Sequence, residues 1–139
     1  MNLTSAEILK LIKDWIKASP LAKAVPTIYE DHYPRQALNK GVMGEFIVIN
    51  VLSNATGDGQ SATVNVNIYV PDDTTRIRSI EQRFPDTTRL AKLSRIAYEA
   101  LKGYPVTERW WFDVSSETII KEEGIPYSFS NIRVSLKRF

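Results

Sequence analysis

The sequence predicts an α+β fold with a mainly antiparallel sheet and two helices packed on one face of that sheet. Two stretches place apolar residues at helical spacing, and several others are apolar or alternating over the length of a strand. Packing both helical stripes on one face of the sheet is the simplest arrangement that buries them. The 139 residues match the usual size of one domain, so we expect a single α+β domain over residues 1–139.

The first helix is predicted to follow Thr4, which has capping-box spacing to Glu7. Proline disfavours helical geometry in the residue before it, so we expect this helix to end at Ser19-Pro20. Its apolar stripe consists of Ile8, Leu11, Ile12, Trp15 and Ile16.

The second helix is predicted to begin at Asp86 or Thr87, either of which can cap it, and to end at Gly103. The residues expected on its buried side are Leu90, Leu93, Ile96, Ala97 and Leu101.

The first half of the sheet is predicted from three segments. Residues 24–29 form a short edge strand, because Pro26 demotes them from a central position. Residues 45–53 are apolar on both faces, and residues 63–70 alternate between apolar and polar. The turn cluster at residues 54–61 should join these last two strands.

Two polar segments are predicted to be loops, at residues 30–40 and 71–85. The second is unusually long for a connection in a compact domain. Ile77 and Ile80 are expected to pin a short helical turn within it.

The last third is predicted to be antiparallel sheet. Residues 106–114 form one strand and residues 118–121 a further short one, and residues 123–126 make a turn before the final strand at 127–139. Trp110 and Trp111 are consecutive and must project to opposite faces, so we expect Trp110 in the core and Trp111 on the more polar face.

Composition narrows the classes of partner. The chain has no cysteine, which excludes disulfides and thiolate metal sites, and its net charge of +2 is too small to indicate a nucleic-acid partner. No apolar run approaches the roughly 20 residues of a membrane span, and no signal peptide is evident, so we expect a cytoplasmic protein.

The sequence offers no assembled catalytic, cofactor or metal site. His32 is the only histidine, and in its acidic loop we interpret it as a solvated residue and not as a general base. The Gly57-Asp58-Gly59-Gln60 run is better explained as a hairpin turn than as a phosphate loop, because it lies between two strands. No small-molecule substrate is indicated.

The candidate functional residues are therefore those of an interface with a partner. An exposed tryptophan is a typical interface anchor, and polar rows or exposed arginines can accompany one. The candidates are Trp111, Arg109, Tyr69, Asn67, Arg76 and Arg78.

The order of elements resembles that of the tail-terminator and tail-completion proteins of tailed phages and prophages. The matching pieces are residues 25–29, Pro34, and residues 46–51, 64–70, 90–101 and 132–136. The chain departs from the pattern in residues 71–85 and 106–126, which are longer here.

The resemblance implies a structural subunit that joins a homo-oligomeric ring or contacts other tail or head proteins, located in the cytoplasm or the virion. Two alternatives remain open. A small peptide- or ligand-binding module would use a pocket at the Trp111 face. An enzyme would need His32 in a cleft near a nucleophile or a second acid.

Overall fold

The computed structural model of the protein describes residues 2–35, 44–57, 59–102 and 110–138. Over these ranges the fold is α+β, and its elements are α1 (Ser5–Lys17), α2 (Pro20–Ala24), β1 (Ile28–Glu30), β2 (Phe46–Ala55), β3 (Gln60–Pro71), β4 (Asp73–Ile77), β5 (Ile80–Phe84), α3 (Thr87–Lys102), β6 (Trp110–Lys121) and β7 (Tyr127–Arg138). The main sheet has the order β1-β2-β3-β7-β6, and β4 pairs only with β5. The pairing of β1 with β2 is parallel, and the other pairings are antiparallel.

The main core lies between the helices and one face of the sheet. The apolar residues of β3 lie on the buried side as predicted and align with those of β7, as in the pairs Val64–Val134 and Val66–Ile132. Most of the alternate residues, predicted to form a polar face, are buried as well. Ile12 of α1 and Leu93 of α3 are fully buried in the same core. We call the surface on this side of the sheet the helix face and the other side the open face.

Both predicted helices begin where their caps indicate. The Thr4 hydroxyl accepts a hydrogen bond from the Glu7 amide at 3.2 Å, and the Glu7 carboxylate accepts one from the Thr4 amide at 3.0 Å. The Asp86 carboxylate accepts from the Arg89 amide at 3.1 Å at the start of α3. Each cap satisfies backbone donors that the first helical turn leaves free.

The prediction of two helices misses α2. Pro20 does end α1, as expected, but it also occupies the first turn of α2, where its missing N–H costs nothing. Leu21 of this short helix is fully buried in the main core. The predicted edge strand at 24–29 is correspondingly shorter, since only Ile28–Glu30 pairs with β2.

The prediction of a loop at residues 71–85 with a helical turn at Ile77 and Ile80 is wrong. These two residues instead face each other across the end of a β4–β5 hairpin. The connecting residues Arg78 and Ser79 both have positive φ, at 53° and 66°. That geometry fits a type I′ turn, whose twist matches the flanking strands, but it is normally indicated by Asn-Gly or Asp-Gly.

The prediction of a separate strand at residues 118–121 is also wrong, because β6 is continuous from Trp110 to Lys121. Its register against β7 shifts between Val114 and Ser116. This bulge changes which residues face the helices, and that breaks a simple two-residue alternation. Gly103 and the predicted positions before Trp110, including Arg109, lie outside the described residues. The side chain of Trp110, predicted to be in the core, lies outside them too.

The β2–β3 connection is tighter than the predicted turn at 54–61, since β2 runs to Ala55 and β3 begins at Gln60. A Cβ atom on Gly59 would lie 2.9 Å from the Arg138 carbonyl oxygen, so this position requires glycine.

The predicted turn at 123–126 is present between β6 and β7. None of the helices in the described ranges combines the length and hydropathy needed to cross a bilayer.

Candidate interaction surfaces

One end of the open face is filled by stacked aromatic rings. The Tyr69 ring lies between those of Phe46 and Phe129, with ring centroids 4.7 Å and 4.6 Å away. Tyr33 packs edge-on against it at 5.2 Å. Tyr69 is only 4% exposed, so this candidate interface residue belongs to a second, smaller core.

The Tyr69 hydroxyl donates a hydrogen bond to the Glu122 carboxylate at 2.9 Å. Burial and the nearby Glu122 charge both raise the pKa of Tyr69 above its ordinary value. The neutral phenol is therefore the form that this part of the fold requires.

The middle of the open face carries a row of four asparagines on three strands. Asn131 donates to the side-chain oxygens of Asn65 at 3.2 Å and Asn67 at 2.6 Å, and Asn65 donates to Asn50 at 3.0 Å. Asn67, another candidate interface residue, is 8% exposed. Its side chain helps to link neighbouring strands, and such connected networks rigidify a sheet.

Trp111 lies at the far end of the open face and is 50% exposed, which fits the expectation that it points away from the main core. It lines a cavity of about 110 Å³ with Asp113, Ser135 and Lys137. Trp111 pairs with Lys137 and Asn67 pairs with Asn131, so about six residues of strand, roughly 20 Å, separate the two candidates. They do not form one site.

Arg76 and Arg78 lie on the β4–β5 hairpin, which we call the hairpin arm (residues 73–84). One face of the arm carries Ile77, Ile80 and Phe84, which are 49%, 61% and 45% exposed. The register places these three side chains on the same side, because Ile77 pairs with Ile80 and β5 alternates from Ile80 to Phe84. Sequence reasoning missed this apolar face because it interpreted the segment as a loop.

The base of the hairpin arm is fixed by a buried carboxylate. The Asp72 side chain is fully buried, accepts a hydrogen bond from the Ser128 hydroxyl at 2.7 Å, and lies 2.9 Å from the Lys121 ammonium. The contact with Lys121 is an ion pair and not an aligned hydrogen bond. The reason is that the three ammonium hydrogens are donated to backbone carbonyls, those of Glu122, Ile125 and Tyr127, at 2.9–3.0 Å.

The backbone strengthens the same junction, since the Asp72 amide donates to the Pro126 carbonyl at 2.9 Å. The arm therefore leaves the body from a defined point beside the β6–β7 turn. We call the contacts among Asp72, Lys121 and Ser128 the arm clasp.

The strand β6 forms one edge of the main sheet, and among the described residues it pairs only with β7. Two large apolar residues near its end, Ile119 and Ile120, are 42% and 40% exposed and point to opposite faces. Unpaired edge strands can pair with another chain through their N–H and C=O groups, and charges on the strand oppose this. The strand β6 carries three charges, Asp113, Glu117 and Lys121, and Thr118–Ile120 between the last two are uncharged.

A groove of about 640 Å³ runs between α3 and β6 on the helix face. Tyr98 of α3 and Ile119 of β6 line it, together with Glu117. Within it the Ser94 hydroxyl donates to Ser130 at 2.7 Å, and the Ser130 hydroxyl donates to Glu117 at 2.8 Å. This chain of hydrogen bonds ties α3 to β7 and β6.

The side chains with possible catalytic or metal-binding chemistry are dispersed. His32 has an 84% exposed side chain and its nearest charged partner is the adjacent Asp31, at 3.4 Å. Over the described ranges, no three histidine, cysteine or carboxylate side chains are grouped to hold a metal ion.

The chain matches no model of a known protein family, and no curated protein matches it.

Proposed function

We propose that the protein is a structural subunit of the kind found in phage and prophage tail-terminator and tail-completion proteins, and that it acts through subunit interfaces and not through catalysis. The observation that carries the proposal is the hairpin arm, with three large apolar side chains on one exposed face. Its partners would be further copies of the chain in a ring, or other tail or head proteins, in the cytoplasm or the virion.

The physical argument starts from the cost of leaving this face in water. Fully burying an isoleucine or phenylalanine side chain is worth about 1.5–3 kcal/mol, and these three are each roughly half exposed. Isolated exposed apolar residues are ordinary, whereas several that lie together on one face favour an interaction surface.

The arm clasp adds to this argument. Association costs free energy for each segment that must be ordered, and a segment already held in position costs less. Because the clasp fixes where the arm leaves the body, the arm can present its apolar face to a partner without first ordering its base.

The test is the mass in solution, measured by light scattering after size exclusion over a wide range of protein concentration. The wild-type chain should show a species several times the monomer mass that grows with concentration, and Ile80→Lys on the arm should abolish it. Leu52→Lys is the matched control, since Leu52 is a comparably exposed apolar residue on β2, at 54%. A strict monomer at every concentration, or equal loss of assembly in both variants, would contradict the proposal.

A small binding module is the second candidate, and the Trp111 cavity favours it. With Asp113 and Lys137 beside the indole, the cavity could hold one side chain of a peptide. Its volume of about 110 Å³ is below the roughly 300–1,000 Å³ of typical small-molecule pockets. Screening a peptide library against wild type and Trp111→Ala tests this candidate. The binding-module function predicts peptides that bind the wild type and do not bind the variant.

A further inference from the structure

We propose that β5 of one copy adds as a strand to the 116–121 segment of β6 in a second copy, so that the apolar face of the hairpin arm covers the α3–β6 groove. The inference rests on the proposed function, because it names the two surfaces through which subunits would associate. Three arguments support it, from backbone pairing, side-chain burial and symmetry.

The backbones of the two segments suit each other. Within the described chain β5 pairs only with β4, and β6 pairs only with β7, so each has a free edge of donors and acceptors. The 116–121 segment follows the bulge and pairs regularly with β7, which makes its outer edge regular over six residues. The strand β5 has five residues, which matches that length. Addition of a strand to such an edge is a common mode of recognition.

This pairing also buries the apolar side chains of the hairpin arm. A strand added beside β6 extends the sheet under the exposed side of α3. If the apolar face of the arm is turned to the helix face, Ile80 and Phe84 lie beside Ile119 and Tyr98 at the groove. The groove of about 640 Å³ supplies room for them. The polar face of the arm, with Arg76 and Arg83, then lies toward the open face.

The two paired segments are both neutral. β5 carries Glu81 and Arg83, and the 116–121 segment carries Glu117 and Lys121, so their pairing brings no like net charges together. The choice over pairing arm with arm or β6 with β6 rests on the groove, which the apolar face of the arm covers in the proposed pairing.

The symmetry of such a contact agrees with a ring. The arm and the β6 edge are different surfaces of one chain, so the contact is heterologous, and each subunit keeps one of each surface free for the next neighbour. Contacts of this type close into rings when the rotation between subunits permits it. A contact between identical surfaces would end at a dimer.

Cysteine cross-linking tests the pairing directly, because the chain contains no cysteine of its own. Thr118→Cys places a thiol on β6, and Glu81→Cys or Arg83→Cys places one on β5 in either of two registers. All three positions are exposed, and in the proposed pairing all lie on the open-face side. Each variant is made with a different isotope label and mixed under mild oxidation, and mass spectrometry distinguishes mixed from like disulfide pairs.

The proposed pairing predicts that a Thr118→Cys chain couples to a Glu81→Cys or Arg83→Cys chain at least tenfold more than any variant couples to itself. If Thr118→Cys couples chiefly to itself, the edges of two β6 strands meet, and the inference is overturned although the proposed function survives. If the wild type assembles and no cysteine pair couples, the inference is likewise overturned and the proposed function survives. A wild type that stays monomeric while no pair couples overturns both.

Discussion

Replacing Asp72 with alanine should lower the free energy of unfolding by about 2–4 kcal/mol. The change removes a buried carboxylate that accepts from Ser128 at 2.7 Å and neutralises Lys121 at 2.9 Å. Leaving the fully buried Ser128 hydroxyl without its acceptor costs about 1–3 kcal/mol. The Lys121 side chain is 45% exposed and can regain water, so its contribution stays below the 3–5 kcal/mol of a fully buried pair.

The assay is urea denaturation followed by tryptophan fluorescence, with Asp73→Ala as the matched control. Asp73 is the adjacent residue and is exposed, so its replacement should change stability by no more than about 0.5 kcal/mol. Equal midpoints for the two variants at an unchanged denaturant slope would refute the argument that the arm clasp is a stabilising contact.

The remaining predictions concern the two cores and the ion pair between Arg89 of α3 and Glu45, the residue before β2. Folding raises the pKa of Tyr69 above 10.0, so the stability that its protonation contributes is present below that pH and lost above it. Denaturation midpoints should therefore fall more steeply above pH 10 in wild type than in Tyr69→Phe, and parallel curves would contradict this. Arg89→Lys should lower the free energy of unfolding by about 0.5–1 kcal/mol, because a lysine cannot reproduce the bidentate contact of Arg89 with the Glu45 carboxylate at 2.6 and 2.7 Å. Arg95→Lys, which alters an exposed pair at 3.9 Å, should cost nothing measurable, and an equal loss in both variants would count against the geometry. Ile12→Ala should cost about 2–5 kcal/mol in thermal or urea unfolding, whereas Leu52→Ala should cost under about 0.5, and similar values would place Ile12 outside the core.

Elements specified by local chemistry were predictable from the sequence. The first helix is an example, since its cap, its apolar stripe and its proline stop all lie within a continuous run of the chain. The strand β3 is another, because its alternation assigns its valines and Ile68 to the main core, although Asn65, Asn67 and Tyr69 on the other face are buried too.

The hairpin arm and β6 were mispredicted for identifiable reasons. Arg78 and Ser79 form a turn with positive φ without the glycine or asparagine that usually indicates one. The bulge between Val114 and Ser116 interrupts the two-residue alternation of β6, so the sequence pattern predicts two strands where the structure has one.

The candidate surfaces depend on pairing between strands that are distant in the sequence. Local patterns in a single sequence do not indicate which strands pair. Tyr69 is in a polar row by alternation, yet cross-strand pairing with Phe46 and Phe129 encloses it between two aromatic rings. Trp111 was correctly placed off the main core, because a neighbouring core residue, Phe112, fixes its direction.

Hydrogen exchange at low and high protein concentration tests most directly whether the chain works through subunit contacts. The account predicts that raising the concentration slows amide exchange in the hairpin arm (residues 73–84) and in the 116–121 segment of β6, and leaves β2 unchanged. The same exchange rates in all three segments at every concentration would contradict it.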